Sequence, residues 1–338
     1  MRYSKMFTTI DTHTGGEPTR TITSGIPRIP GGTMAEKMRY MQEHLDWIRT
    51  ALMFEPRGHS VMSGVVLTEP THPEADIGVI FIETGGYLPM CGHDTIGVAT
   101  ALVESGMVPV TEPVTSICLD TPAGLTRVRV EVVDGRARSV TFVNIPSFVM
   151  AMDATVEVEG IGPVTLDVAY GGNVYAIVPA EAVGLVISPN HTSRIIDIGR
   201  RVRQAVNREL TVVHPEKEFI RGCTHVQFYE PSTRPDADFK NAVFLADAGI
   251  DRSPCGTGTS ARLACLHAKG RLQTGEGFVH ESIIGSLFRA RVAGETRVGH
   301  LPAVIPEVTG SAWVMGINQW VIQPDDPLAK GFLLDNES

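Results

Sequence analysis

The sequence predicts two α/β domains built on an internal repeat, and three observations carry that prediction. At 338 residues the chain exceeds the length at which single cores usually stop growing. Short β-branched runs, broken by glycine and proline, alternate with stretches of helical periodicity in both halves. Two segments, "MCGHDTIGVATAL" from Met90 and "PCGTGTSARLACL" from Pro254, repeat one pattern. Aligned on Cys91 and Cys255, they share the next glycine (Gly92, Gly256), a later threonine (Thr95, Thr259) and a later leucine (Leu102, Leu266). The two cysteines stand 164 positions apart (255 − 91), about half the chain.

Strands are expected over Ile77–Thr84, Leu125–Gly135 and Val140–Pro146, with Asp134-Gly135 as the turn of a hairpin. The second half supplies "VTLDVAYGG", "VYAIVP", "CTHVQFYE", "NAVFLADAG" and "SLFRARV". Helical periodicity marks Met34–Met53, the segment after Cys91, "TSRIIDIGRRVRQAVNREL" and the segment after Cys255. Each Cys-Gly pair thus follows a strand and a turn and opens a helix. The domains are expected at 1–147 and 148–312, with 313–338 packing back onto the first.

Composition bounds the function. A hydrophobic share of 43% and a charged share of 20% are those of an ordinary globular protein. A net charge of −9 argues against a nucleic-acid partner, which needs a basic footprint. No apolar run is long enough to span a membrane, and the N-terminus lacks a signal-type apolar region. A cytoplasmic location is the resulting expectation. Five cysteines are too few for a disulfide framework, so they are expected as thiols.

A helix N-terminus offers unpaired N–H groups and a partial positive charge. A cysteine there, followed by glycine, suits an anion such as a substrate carboxylate and is expected to favour thiolate over thiol. Two such cysteines acting on one carboxylate suggest a single reaction. One thiolate removes the α-proton, the other thiol returns a proton to the opposite face, and no cofactor is needed. Cys118, Cys223 and Cys265 lack the Cys-Gly turn and read as small buried residues. Cys91-Gly92-His93 stands alone and does not read as a zinc site, so no metal is expected.

"MCGHDTIG", "DRSPCGTGTSA", the opening "DTHTGGEPTR" and "EPRGH" together resemble the proline racemase family, from about Phe7 to Phe332. The resemblance implies a diaminopimelate-epimerase-like fold, with two pseudo-symmetric domains and an active site in the cleft. It implies inversion at the α-carbon of proline or hydroxyproline by a cysteine pair. Family dehydratases, which act on trans-3-hydroxyproline, are less similar because they carry serine or threonine at the first cysteine. Carried over by position, Cys91 and Cys255 are the acid–base pair. Gly92, His93, Gly256 and Thr257 hold the carboxylate, and Asp251 accepts from the ring ammonium. Asp94 stands where the family usually has glycine, and its side chain is expected to face solvent. Ser63 and His225 occupy positions whose polarity suits a ring hydroxyl, while Leu245 leaves the pocket partly apolar. The expectation is a 4-hydroxyproline 2-epimerase. The alternatives are a proline racemase, a broad 3-/4-hydroxyproline epimerase, a catalytically silent amino-acid-binding protein, or a redox-sensing dithiol. A homodimer is implied by the resemblance alone.

Overall fold

The computed structural model describes residues 4–245 and 249–334. It divides into two compact units, Met1–Phe142 with Ser311–Ser338, and Val143–Gly310. Part of the predicted strand "NAVFLADAG", residues 246–248, lies outside the described residues. Among the described residues, no helix is long and apolar enough to cross a membrane.

The first unit runs β1 (Lys5–Thr14), β2 (Glu17–Ser24), α1 (Met34–Tyr40), α2 (Asp46–Met53), β3 (Ser63–Thr68), β4 (Ile77–Glu83) and β5 (Gly86–Leu88). It continues with α3 (Gly92–Glu104), β6 (Val114–Thr121), β7 (Gly124–Val133) and β8 (Arg136–Val143). The second runs β9 (Phe148–Val158), β10 (Gly162–Tyr170), β11 (Val174–Pro179), α4 (Thr192–Glu209), β12 (His225–Pro231) and β13 (Phe239–Leu245). After these come β14 (Gly249–Ile250), α5 (Gly256–Ala268), β15 (Gly277–Glu281), β16 (Leu287–Val298) and β17 (Leu301–Gly310). The last strand, β18 (Ala312–Ile322), pairs with β1 in the first unit.

Strand pairing makes the repeat explicit. The first unit orders its strands β18-β1-β2-β3-β4-β6-β7-β8. The second orders them β9-β10-β11-β12-β13-β15-β16-β17. Both follow one sequence of senses, antiparallel throughout except where β2 meets β3, β4 meets β6, and their counterparts meet. Registers agree as well: Ser63 lies opposite Glu83, and His225 lies opposite Leu245.

Each unit has two helical layers because its central strands are apolar on both faces. On β11, Val174, Ala176 and Val178 join the core under α4, with Ile195, Val202 and Phe244. Tyr175 and Ile177, pointing the other way, join Cys255, Ala261 and Cys265 of α5. In the first unit, Met41, Ile48 and Leu52 pack with Ile22, Ile80 and Ile82. The predicted helix at Met34–Met53 is interrupted by a π-helical turn over Met41–Leu45. Apolar periodicity does not distinguish that turn from an α-turn. Asp134 and Gly135 take φ of 55° and 72°, as the two-residue hairpin turn requires.

α3 and α5 are both 13 residues long and enclosed on all sides. Residues from Gly92 to Val103 are all buried, as are those from Gly256 to Leu266. Close packing explains the glycines within them. A Cβ at Gly97 would stand 2.7 Å from Thr19 Oγ1 and 2.8 Å from Thr12 Oγ1, so only glycine lets α3 approach β1 and β2.

Candidate active site

Cys91 is the N-cap residue of α3 and Cys255 that of α5. Both sulfurs lie at the helix mouths, beside the first-turn groups of their own helices. Gly92 and His93, and likewise Gly256 and Thr257, open their helices, where N–H groups have no intrahelical acceptor. Each helix start is therefore suited to an anion.

In the first unit, Cys91 Sγ lies 3.3 Å from His93 Nδ1. His93 Nε2 is 3.2 Å from Asp94 Oδ1, an ion-pair distance but off the line a hydrogen bond needs. Asp94 accepts from Thr19 Oγ1 at 2.7 Å and from Ser63 Oγ at 2.6 Å. Thr14 Oγ1 donates to the His93 carbonyl at 2.9 Å. The expectation that Asp94 faces solvent is overturned, because its residue is 0% exposed. Two hydroxyl donors and an imidazole compensate the carboxylate inside an enclosed helix start. Ser63, expected at a ring hydroxyl, directs its hydrogen to Asp94.

In the second unit, Tyr175 OH lies 3.3 Å from Cys255 Sγ and 2.6 Å from Thr257 Oγ1. Asp251 accepts from Ser253 N at 2.7 Å and from Ser253 Oγ at 2.8 Å. Ser253 Oγ in turn accepts from Cys255 N at 3.1 Å. The His225 ring packs on Tyr175 at 5.0 Å between centroids. Thr224 Oγ1 lies 3.1 Å from the Val174 carbonyl and 2.7 Å from His225 Nδ1. The hydroxyl can give its one hydrogen to the Val174 carbonyl or to Nδ1; Nδ1 carries the ring proton in the first case and Nε2 carries it in the second. Leu245 lies opposite His225 on β13.

The two units solve one packing problem in opposite ways. Asp94 follows Cys91 at the position where Gly258 follows Cys255. A Cβ on Gly258 would stand 3.1 Å from Cys255 Sγ and 3.2 Å from Tyr175 Cε1. Tyr175 pairs with His225, and Thr19 precedes by one the Arg20–Gly64 pair, so Thr19 matches Tyr175. A small strand residue with an acid on the helix thus faces a large strand residue with glycine. Sequence reasoning missed Thr14, Thr19 and Tyr175. The threonine density of "DTHTGGEPTR" was a usable signal, whereas Tyr175 had none.

The expected lowering of the thiol pKa is also overturned. Burial pushes Cys255 up to about 12, reinforced by Asp251 and opposed by Tyr175. Burial pushes Cys91 up as well, with Asp94 adding to the rise and His93 opposing it. Helix-terminal charge does not offset the loss of water around sulfur. For His93 burial acts downward, yet Asp94 and Cys91 outweigh it and hold the imidazole well above its usual range. His225 is lowered to about 4 by burial and then by Arg203, so it is neutral at pH 7. Ligand atoms of Cys91, His93 and Asp94 lie within 4.8 Å of one another, a donor set a metal could use. The imidazole, however, turns Nδ1 to sulfur and Nε2 to carboxylate, as a charged ring between them would. A cavity of about 370 Å³ in the second unit, lined by Phe148, Met150, Ala264 and Val304, includes none of the site residues.

The profile of the family described as "Proline racemase" matches residues 9–333. The chain belongs to the proline racemase family. It is 53% identical over 335 residues to a 4-hydroxyproline 2-epimerase of Streptosporangium roseum, covering 99% of this chain and 100% of the relative. It is 46% identical over 334 residues to a proline racemase of Clostridioides difficile, again covering 99% and 100%. Among solved structures, a hydroxyproline epimerase from Agrobacterium vitis with bound trans-4-OH-L-proline superimposes with a TM-score of 0.92 at 37% identity. That match covers 99% of this chain and 98% of the other. The fold is diaminopimelate-epimerase-like, and the protein is an isomerase of the racemase and epimerase kind.

The charge on His93 depends on Asp94. With Asp94→Asn, burial is opposed by Cys91 alone, so its NMR titration is expected to move down from its wild-type position well above 6.5. A wild-type His93 that is already neutral at pH 7 would contradict this electrostatic account.

Proposed function

We propose that the chain inverts the α-carbon of 4-hydroxyproline, converting trans-4-hydroxy-L-proline to cis-4-hydroxy-D-proline, with Cys91 and Cys255 as the two acid–base groups and no cofactor. The observation that carries this reading is the repeated thiol at the N-cap of two equal, enclosed helices.

One sulfur, as thiolate, takes the α-proton. The electron pair left on carbon spreads into the substrate carboxylate, whose oxygens are held by the N–H groups at Gly92, His93, Gly256 and Thr257. The other sulfur, as thiol, gives its proton to the opposite face. Turnover therefore leaves the protonation states of the two sulfurs exchanged. Because burial raises both thiols, the thiolate needs nearby positive charge. The His93 imidazolium supplies it at Cys91, and the ring ammonium, accepted by Asp251, supplies it when substrate is bound. Tyr175, whose pKa burial raises well above the usual phenol range, stays protonated and donates toward Cys255.

Substrate choice is assigned to His225. Its Nε2, acceptor or donor according to the tautomer, hydrogen-bonds the ring hydroxyl, a group that an unsubstituted proline lacks. The 46% identity to a proline racemase and the apolar Leu245 favour proline as the second reading.

Cys91→Ser and Cys255→Ser are each expected to lower epimerisation by more than about a thousandfold, followed by polarimetry, since serine is a far weaker acid and base. Substantial inversion by either variant would defeat the pair. His225→Phe is expected to lower kcat/KM for trans-4-hydroxy-L-proline at least about tenfold more than for L-proline. Equal losses on both substrates would remove His225 from the specificity assignment.

A further inference from the structure

The face of the second unit's sheet beneath α5 carries a polar cluster that the matching face of the first unit lacks. Cross-strand pairs join Gln227 to Val243, Tyr229 to Asn241, and Phe239 to His280. Strand alternation sets Gln227, Tyr229, Phe239, Asn241 and His280 on one face. Arg262 of α5 lies over it, its guanidinium 3.6 Å from the Tyr229 ring centre and 5.1 Å from that of Phe239. Gln227, Asn241 and His280 are 0% exposed and Arg262 is 2% exposed. By register, the counterparts of Gln227, Asn241 and His280 are Val65, Val79 and Leu119. The counterpart of Arg262 is Val98, 164 positions earlier (262 − 98). All four counterparts are fully buried and apolar. The fold itself does not require polar residues at these places.

The polar version is costly. Among the described residues, both side-chain atoms of Gln227, Asn241 Oδ1, Arg262 Nε and His280 Nε2 are buried without a hydrogen-bond partner. A rule broken in one of two equivalent cores points to function.

What the cluster touches indicates which function. Asn241 Nδ2 donates to the Pro254 carbonyl at 2.7 Å and lies 3.3 Å from His280 Nδ1. Thr259 Oγ1 is 2.9 Å from the same Nδ1 and 3.2 Å from the Pro254 carbonyl. Burial, then Arg262, lowers His280 to about 3 and keeps it neutral, so Nδ1 can accept from the Asn241 amide and hold it in place. The Pro254 carbonyl and the Cys255 N–H share one rigid peptide plane. Asn241 grips its carbonyl end, and Ser253 Oγ accepts from its N–H end at 3.1 Å. Rotation of that plane about the Cys255 N–Cα bond is φ of Cys255, which stands at 64°, a value costly for any residue but glycine. Cys91 needs no such restraint, since its φ of −138° is ordinary extended backbone.

We propose that Asn241 and His280 are positioning residues that clamp the Pro254–Cys255 peptide, hold Cys255 in its left-handed conformation and so aim its sulfur. The assignment rests on the role given to Cys255 above. It makes the two cysteine arms unlike: one is relaxed and charge-assisted, the other strained and clamped.

The test uses the whole chain and takes Cys91 as an internal control. Alkylation of Cys255 and Cys91 by iodoacetamide is followed by peptide mass spectrometry, beside kcat and KM, in His280→Leu, which installs the first unit's residue. The folded variant is expected to shift the Cys255-to-Cys91 rate ratio at least about fivefold and to lower kcat at least about tenfold, with KM changed less. His280→Asn, whose amide oxygen can accept where Nδ1 does, is expected to restore the ratio to within about twofold of wild type. Should His280→Leu not fold, Asn241→Ser, which removes the donor to Pro254 without adding apolar bulk, is read against the same two outcomes. An unchanged ratio with unchanged kcat in a folded variant overturns the clamp. A shifted ratio with unchanged kcat supports the clamp and counts instead against Cys255 as an acid–base group.

Discussion

A thiol at the mouth of a helix with no solvent-facing side is the constraint from which the rest of this molecule follows. Burial of residues 92–103 and 256–266 denies both sulfurs the water that would stabilise a thiolate. The helix starts supply N–H groups and partial charge, which favour an anion, but they do not reverse the loss of solvation. His93 beside Cys91 and Tyr175 beside Cys255 act against that deficit.

The two units respond differently although their strands share one order. Around Cys91 the answer is charge: an imidazolium against sulfur, held protonated by Asp94, which two hydroxyls from β2 and β3 support in turn. Around Cys255 it is a neutral phenol, Tyr175, occupying the space that glycine at position 258 leaves free. Exchanging only one member of either pair would fail. An acid at position 258 would collide with Tyr175 and Cys255, and a tyrosine in place of Thr19 would compete with Asp94 for the same volume. Such coupling lets a duplicated fold diverge at its site without losing its register.

Much of this was legible in the sequence where the information is local. The repeated Cys-Gly segments gave the two helix starts, the β-branched runs gave eight of the 18 strands among the described residues, and Asp134-Gly135 gave its hairpin. What failed depended on neighbours distant along the chain. Asp94 in a first helical turn reads as a solvated, dipole-compensating acid, and nothing local reveals that Thr19 and Ser63 converge on it. The thiol pKa was misread because position at a helix start is visible in sequence, whereas enclosure by other elements is not. Tyr175 sits 80 residues before its cysteine in a strand that otherwise looks like plain core. The π-helical turn at Met41–Leu45 leaves no mark on apolar spacing.

The central claim is that two different groups exchange the α-hydrogen from opposite faces of one carbon. Deuterium labelling at low conversion, with trans-4-hydroxy-L-proline in deuterated buffer, tests it most directly. The account predicts that the D-configured product carries solvent deuterium at the α-carbon while the unreacted L-substrate carries none. Deuterium entering unreacted substrate as fast as product forms would mean that one group serves both faces, and would contradict it.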